Sequence, residues 1–161
     1  MVFDTKVAIV VLDDLAIWQK LNVTAFLATG IAGAAPEAMG EPYEDAAGRR
    51  FARLLGQPIL VFAAGSDGLL RAWRQGIERG LTHAVYVRSM FATGNDEANR
   101  AVFKAEPADA PDLVGVALRG PRKDVDKATN GASLHPSDRR PLPSRPGRAV
   151  VRANRDGTAC I

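Results

Sequence analysis

At 161 residues, 47% of them hydrophobic and 24% charged, the chain has the length and composition of one globular domain with its own core. The net charge of +3 is uneven: residues 136–161 carry six Arg against two Asp, so residues 1–135 are nearly neutral and exert no general pull on polyphosphate. A single cysteine, Cys160, excludes a disulfide, a thiol nucleophile or a cysteine metal site in the core, and two histidines, His83 and His135, leave little room for a histidine-rich zinc site, so no metal or other cofactor is expected.

The first apolar run, residues 6–12 (KVAIVVL), is continuous and β-branched, as for a strand covered on both faces. No apolar run of the sequence approaches the length needed to cross a bilayer, and the start MVFDTKVAIVVLDD lacks a basic leader, so a cytoplasmic protein without membrane contact is expected. Asp13 and Asp14 follow at the strand's carboxyl end, where open α/β sheets place ligands. One acid reads as a helix cap, and Asp14 is also a candidate general base or amine-orienting group. In residues 18–33 (WQKLNVTAFLATGIAG), Val23, Phe26, Leu27, Gly30 and Ile31 follow a helical apolar stripe, with Asn22, Ala25 and Thr29 on the other side. Lys20, in the first turn, is either a solvated lysine or a cation placed to stabilise developing negative charge. Asn22 is a hydrogen-bonding candidate, because an interior Asn is a mediocre helix former.

The next 24 residues are too long for a plain connection, and residues 43–45 and 50–52 around Gly48 predict a small hairpin arm. Residues 58–64 (PILVFAA) read as a second strand. Residues 66–79 read as a helix with Leu69, Leu70, Trp73 and Ile77 inward, Ser66 or Asp67 as its cap and Gly80 at its end. After a strand at 84–88, Gly94 marks a turn, and Thr93 or Asn95 can cap a helix running from Asp96 to about residue 105. The acids Asp96 and Glu97 in its first turn disfavour anions, which leaves Thr93, Asn95 and Asp96 as candidates for holding an amine or hydroxyl. Residues 113–118 make a fourth strand, and a last helix is expected to run from Pro121 to a cap at Asn130-Gly131. Two basic clusters, Arg49-Arg50-Arg53 and Arg119-Arg122-Lys123-Lys127, read as a solvated face or as phosphate contacts. No aromatic residues interleave them, so RNA is the weaker partner class. Residues 136–161, rich in Arg, Pro and Ser, read as a disordered tail beyond a single α/β domain of residues 1–135. Strand–helix alternation predicts a mostly parallel sheet with helical crossovers.

The motifs KVAIVVLDDL, WQKLNVTAFLATGI, PILVFAAGSDGLLRAW, FATGND and LVGVALRGPRKDVDKATNGASLHP, in this order over residues 6–136, resemble the bacterial family called domain of unknown function 2000. That family looks like the type II peptidyl-tRNA hydrolases in fold. The resemblance therefore implies a three-layer α/β/α sandwich around a small, mixed, four-stranded sheet. The hydrolase pattern of an apolar strand, Asp-Leu and a lysine opening a helix is similar to residues 7–12, Asp14-Leu15 and Lys20 here. Ser89 and Met90 stand where the hydrolases carry an Asp, and their helical Gln and His are missing, with Thr24 and Leu27 nearby instead. The expected function is a small-ligand binding or interaction module, a homodimer, with its cleft where Asp14, Lys20 and residues 89–96 converge. The ligand itself is unknown, and Asn22, Thr93 and Asn95 are its candidate contacts. The alternative is a hydrolase of an amide or ester, with Lys20 as electrostatic catalyst and Asp96 as a substitute acid.

Overall fold

The computed structural model describes residues 3–135, so the expected tail lies outside the described residues. Chain order is β1 (Thr5–Leu12), α1 (Ile17–Ala34), β2 (Tyr43–Glu44), β3 (Arg50–Phe51), β4 (Ile59–Ala64), α2 (Ser66–Glu78), β5 (Thr82–Val87), α3 (Asp96–Lys104), β6 (Leu113–Pro121), α4 (Arg122–Ala128) and β7 (Ser133–Leu134). Five strands form one mixed sheet in the order β5-β6-β1-β4-β7. The expectation of four strands is therefore corrected: the two-residue β7 pairs antiparallel with β4, Phe62 opposite Leu134, and is too short to carry an apolar period in sequence.

The expectation of a mostly parallel sheet is also corrected. β1 and β4 are parallel, with Val7 opposite Ile59 and Leu12 opposite Ala64. β6, however, runs antiparallel to both of its neighbours, β1 and β5. The reason lies in residues 88–112. They leave the end of β5 and return to the same end, so the next strand must run backward. Two contacts pin the ends of this excursion: Arg88 N donates to Asp112 O at 2.9 Å, and Arg88 Nε pairs with Asp112 Oδ2 at 2.9 Å. β1, β4 and β5 do share one direction, as strand–helix alternation implies. The antiparallel β6 is inserted among them.

β1 and β6 form the centre, and Val7–Val11 and Val114–Leu118 are buried, Gly115 included. Helices cover both faces. α1 lies over Gly115, where an added Cβ would stand 2.4 Å from Val23 Cγ1 and 2.9 Å from Leu27 Cδ1. α2 lies over Leu118, three residues along β6 and hence on the opposite face, with Gly76 as the point of closest approach. The buried stripe of α1 is Val23, Leu27 and Ile31, each contributing roughly 1.5–3 kcal/mol by burial. The buried stripe of α2 is Leu69, Ala72 and Gly76. Ile77, expected inward, is instead exposed, because the close seat of Gly76 on Leu118 turns it off the centre of that face.

Local punctuation differs in detail from expectation. Asp13 and Asp14 are exposed and do not cap α1. Its first turn is closed by Gln19 Oε1, which accepts from Ala16 N at 3.1 Å. α2 begins after Gly65 without a side-chain cap, so neither Ser66 nor Asp67 serves. Pro121 ends β6 instead of opening α4. Gly80 and Gly131 turn the chain at φ +62° and +89°, beyond α2 and α4. The arm forms as expected, with Tyr43 opposite Phe51, and its bend uses Gly48 at φ +78°. Asp45 organises that bend by accepting from Ala47 N at 2.9 Å, Arg49 N at 3.0 Å and Arg49 Nε at 2.7 Å. The Arg49 backbone and guanidinium together hold its carboxyl below the ordinary value.

Candidate ligand-binding cleft

A second stripe on α1 lies one residue behind the core stripe. Trp18, Asn22, Phe26 and Gly30 recur every four residues and face a cleft of about 560 Å³. Val85 and Tyr86 of β5 form its floor. Its other wall is the excursion, with Phe91, Thr93 and Asn95 before α3, and Asp96, Asn99, Arg100 and Phe103 on α3. Tyr86 faces this side because it stands opposite Gly115, beneath α1. The strand pairing shifts between Tyr86 and Val87, a bulge of the kind that re-aims side chains beside a site.

Aromatic contacts tie the walls together. Trp18 meets Phe91 edge-on at 5.7 Å between ring centres, Phe91 meets Tyr86 at 5.3 Å, and Tyr86 meets Phe26 edge-on at 5.7 Å. The chain of rings starts and ends on α1 and encloses Asn22 between Trp18 and Phe26. Such pairs are each worth about 0.5–1.5 kcal/mol beyond burial. Burial raises the Tyr86 hydroxyl above its ordinary value, so it stays protonated and donates to Asn22 Oδ1, at a long 3.4 Å.

Of the residues singled out in sequence, Asn22, Thr93, Asn95 and Asp96 line this one cleft. Asp14 and Lys20 are not among its lining, and Lys20 Nζ donates to Asp13 O at 2.6 Å. Asn95 is the cap of α3, accepting from Ala98 N at 2.8 Å, and Asp96 pairs with Arg100 one turn on. Thr93 Oγ1 lies 2.8 Å from Met90 O and also contacts the Asn99 side chain. Ser89, in the place of the hydrolase acid, donates to Glu106 Oε1 at 3.0 Å.

The first basic cluster is engaged, as is Arg119 of the second. Arg49 and Arg50 pair with Asp45 and Glu44, Arg53 donates to Gly40 O at 2.7 Å, and Arg119, only 13% exposed, pairs with Glu37 at 2.8 Å. His83 is exposed, with Nδ1 2.9 Å from Leu81 O. Among the described residues no helix is long and apolar enough to cross a membrane, and no cluster of three His, Cys, Asp or Glu forms.

Sequence reasoning missed Trp18, Tyr86, Phe91, Asn99 and Phe103 as site residues, and placed Phe26 and Gly30 in the core stripe. The available signal was two apolar stripes offset by one position on α1, too many inward residues for a single contact line.

A mixed α/β sheet with an aromatic cleft at the end of an edge strand is thus the class that fold and site define. The chain belongs to the family described as protein of unknown function (DUF2000), which matches residues 5–136. It is also similar to a solved structure, the protein of unknown function Atu0240 from Agrobacterium tumefaciens str. C58. Identity is 50% and the TM-score 0.80, over 84% of this chain and 100% of that one. No curated protein matches the chain.

Proposed function

We propose that this chain is a small-molecule-binding module and that its site is the cleft between α1, β5 and α3. One observation carries the reading: the cleft is lined by rings and amides, and the charged pair in its lining, Asp96 and Arg100, is satisfied internally. A site of this size and mix, mostly apolar with a few directed polar groups, suits a small organic ligand. The scaffold resembles type II peptidyl-tRNA hydrolases in the sequence from β1 through Asp14-Leu15 to the α1 lysine. The hydrolase reading draws less support, because Lys20 is tethered to Asp13 O and Asp96 to Arg100. Self-association as a homodimer belongs to the same proposal, supported by Ile17 and Leu21, 79% and 67% exposed on α1. Sedimentation equilibrium tests it, and a purely monomeric protein would remove it.

Two measurements test the main reading. In nitrogen-15 NMR, a library of neutral fragments is expected to shift the Trp18 indole signal and leave that of Trp73, on α2, in place. A library that moves neither ends the proposal. In a turnover assay on peptidyl-tRNA, wild type and Lys20→Ala are expected to be equally inactive. Cleavage by wild type that Lys20→Ala abolishes would establish the hydrolase instead.

A further inference from the structure

The polar groups of the cleft fix more than its location. Thr93 has one hydroxyl proton, yet two acceptors face it, Met90 O at 2.8 Å and the Asn99 side-chain oxygen. Met90 O can only accept, so the proton belongs there. The Asn99 contact is then a hydrogen bond only if the amide is turned, so that Nδ2 donates to Thr93. Turning it places the Asn99 carbonyl oxygen on the side away from Thr93, where the unturned Nδ2 donates to no group among the described residues. Asn22 is the complementary case. Its oxygen takes the Tyr86 hydroxyl, and both N–H groups of its Nδ2 remain without partners among the described residues. Asn95 contributes little, because its oxygen is held by Ala98 N.

The cleft therefore offers donors from α1 and an acceptor from α3, between aromatic walls, with Asp96 and Arg100 neutralising each other. Resting on the binding reading above, we infer that the ligand is a neutral, flat heterocycle with a lactam edge, a ring C=O beside a ring N–H. The C=O accepts from Asn22, the N–H donates to Asn99, and the ring lies against the exposed faces of Trp18 and Phe26. A charged ligand would lose hydration with no free countercharge to replace it. A saturated apolar one would leave both amides unpaired in a partly dry site, which is the more costly mismatch.

The test compares three probes on the full chain by nitrogen-15 NMR titration: hypoxanthine, which has the lactam edge, purine, which has the same ring without it, and indole. Hypoxanthine is expected to shift the Trp18 indole and Asn22 side-chain signals and to bind about tenfold more tightly than purine, as for one or two hydrogen bonds lost. Asn22→Leu, of similar volume, is expected to abolish that difference while leaving the Trp73 signal unmoved as a check on folding. Equal binding of hypoxanthine and purine, or a shift with indole alone, overturns the lactam assignment and leaves the cleft as a binding site. No shift with any of the three overturns both.

Discussion

Gly115 sets how closely α1 can approach the sheet. Because a methyl group there would run into Val23 and Leu27, both locked in the core, Gly115→Ala is expected to cost about 1–3 kcal/mol in urea unfolding. Gly33, near the end of the same helix, has nothing within 4 Å of an added Cβ, and Gly33→Ala is expected to stabilise by about 0.5 kcal/mol. A loss at Gly33 equal to that at Gly115 would contradict this account of the packing. Tyr86 supplies the pH dependence. Its folded-state value lies above the ordinary 10.0 because burial penalises the phenolate. Below pH 10 the hydroxyl is neutral in both states. As pH rises through 10 the unfolded chain ionises first, and stability is lost until the folded-state value is passed. Wild type is therefore expected to lose stability between pH 9 and 11 more steeply than Tyr86→Phe in urea titrations. At pH 7 the two should differ by less than about 1 kcal/mol, since the hydroxyl's hydrogen bond is long.

Among elements, the arm is the most separable. No residue from 41 to 53 is buried, and its base is closed by Gly40 N to Leu54 O and Gly56 N to Ala38 O, both at 2.8 Å. Replacing residues 42–52 with a two-glycine link is expected to leave the urea midpoint unchanged. A fall of more than about 1 kcal/mol would show that the arm supports the core. The arm was legible in sequence because its signals are local: turn residues around Gly48 and a pair of aromatics at matching distance. The four longer strands and the four helices were legible for the same reason: the strands as apolar runs, α1 and α2 by periodicity, and α3 and α4 by residues suited to their ends. The direction of β6 was not. A strand buried on both faces has the same apolar run whether its neighbours are parallel or antiparallel, and only the pinned ends of the excursion, Arg88 and Asp112, decide it. The cleft was half legible. Asn22, Thr93, Asn95 and Asp96 stood out as polar residues at odd places, but the exposure of Trp18 and Phe26 depends on where α3 comes to rest.

At the scale of the whole molecule, the described residues close the sheet at one edge by very little. β7 shields β4 with two residues, aided by His135 N donating to Val61 O at 3.0 Å. A chain ended at residue 131 therefore leaves the β4 edge open and is expected to self-associate with rising concentration in light scattering. A chain ended at 135 is not; equal scattering from the two would show that β7 does not guard the edge.

The central place of β6 also bears on synthesis. β1 is made first and gains β4 on one side once residue 64 has appeared, but its other side stays unpaired until β6 is complete at residue 121. At ordinary translation rates the intervening residues take roughly 3–11 s to produce. Throughout that interval the nascent chain displays Val7–Val11, the most apolar strand edge it has, to whatever waits at the ribosome exit. Efficient production of this protein therefore depends on how that edge is guarded, and slow codons before β6 would lengthen its exposure.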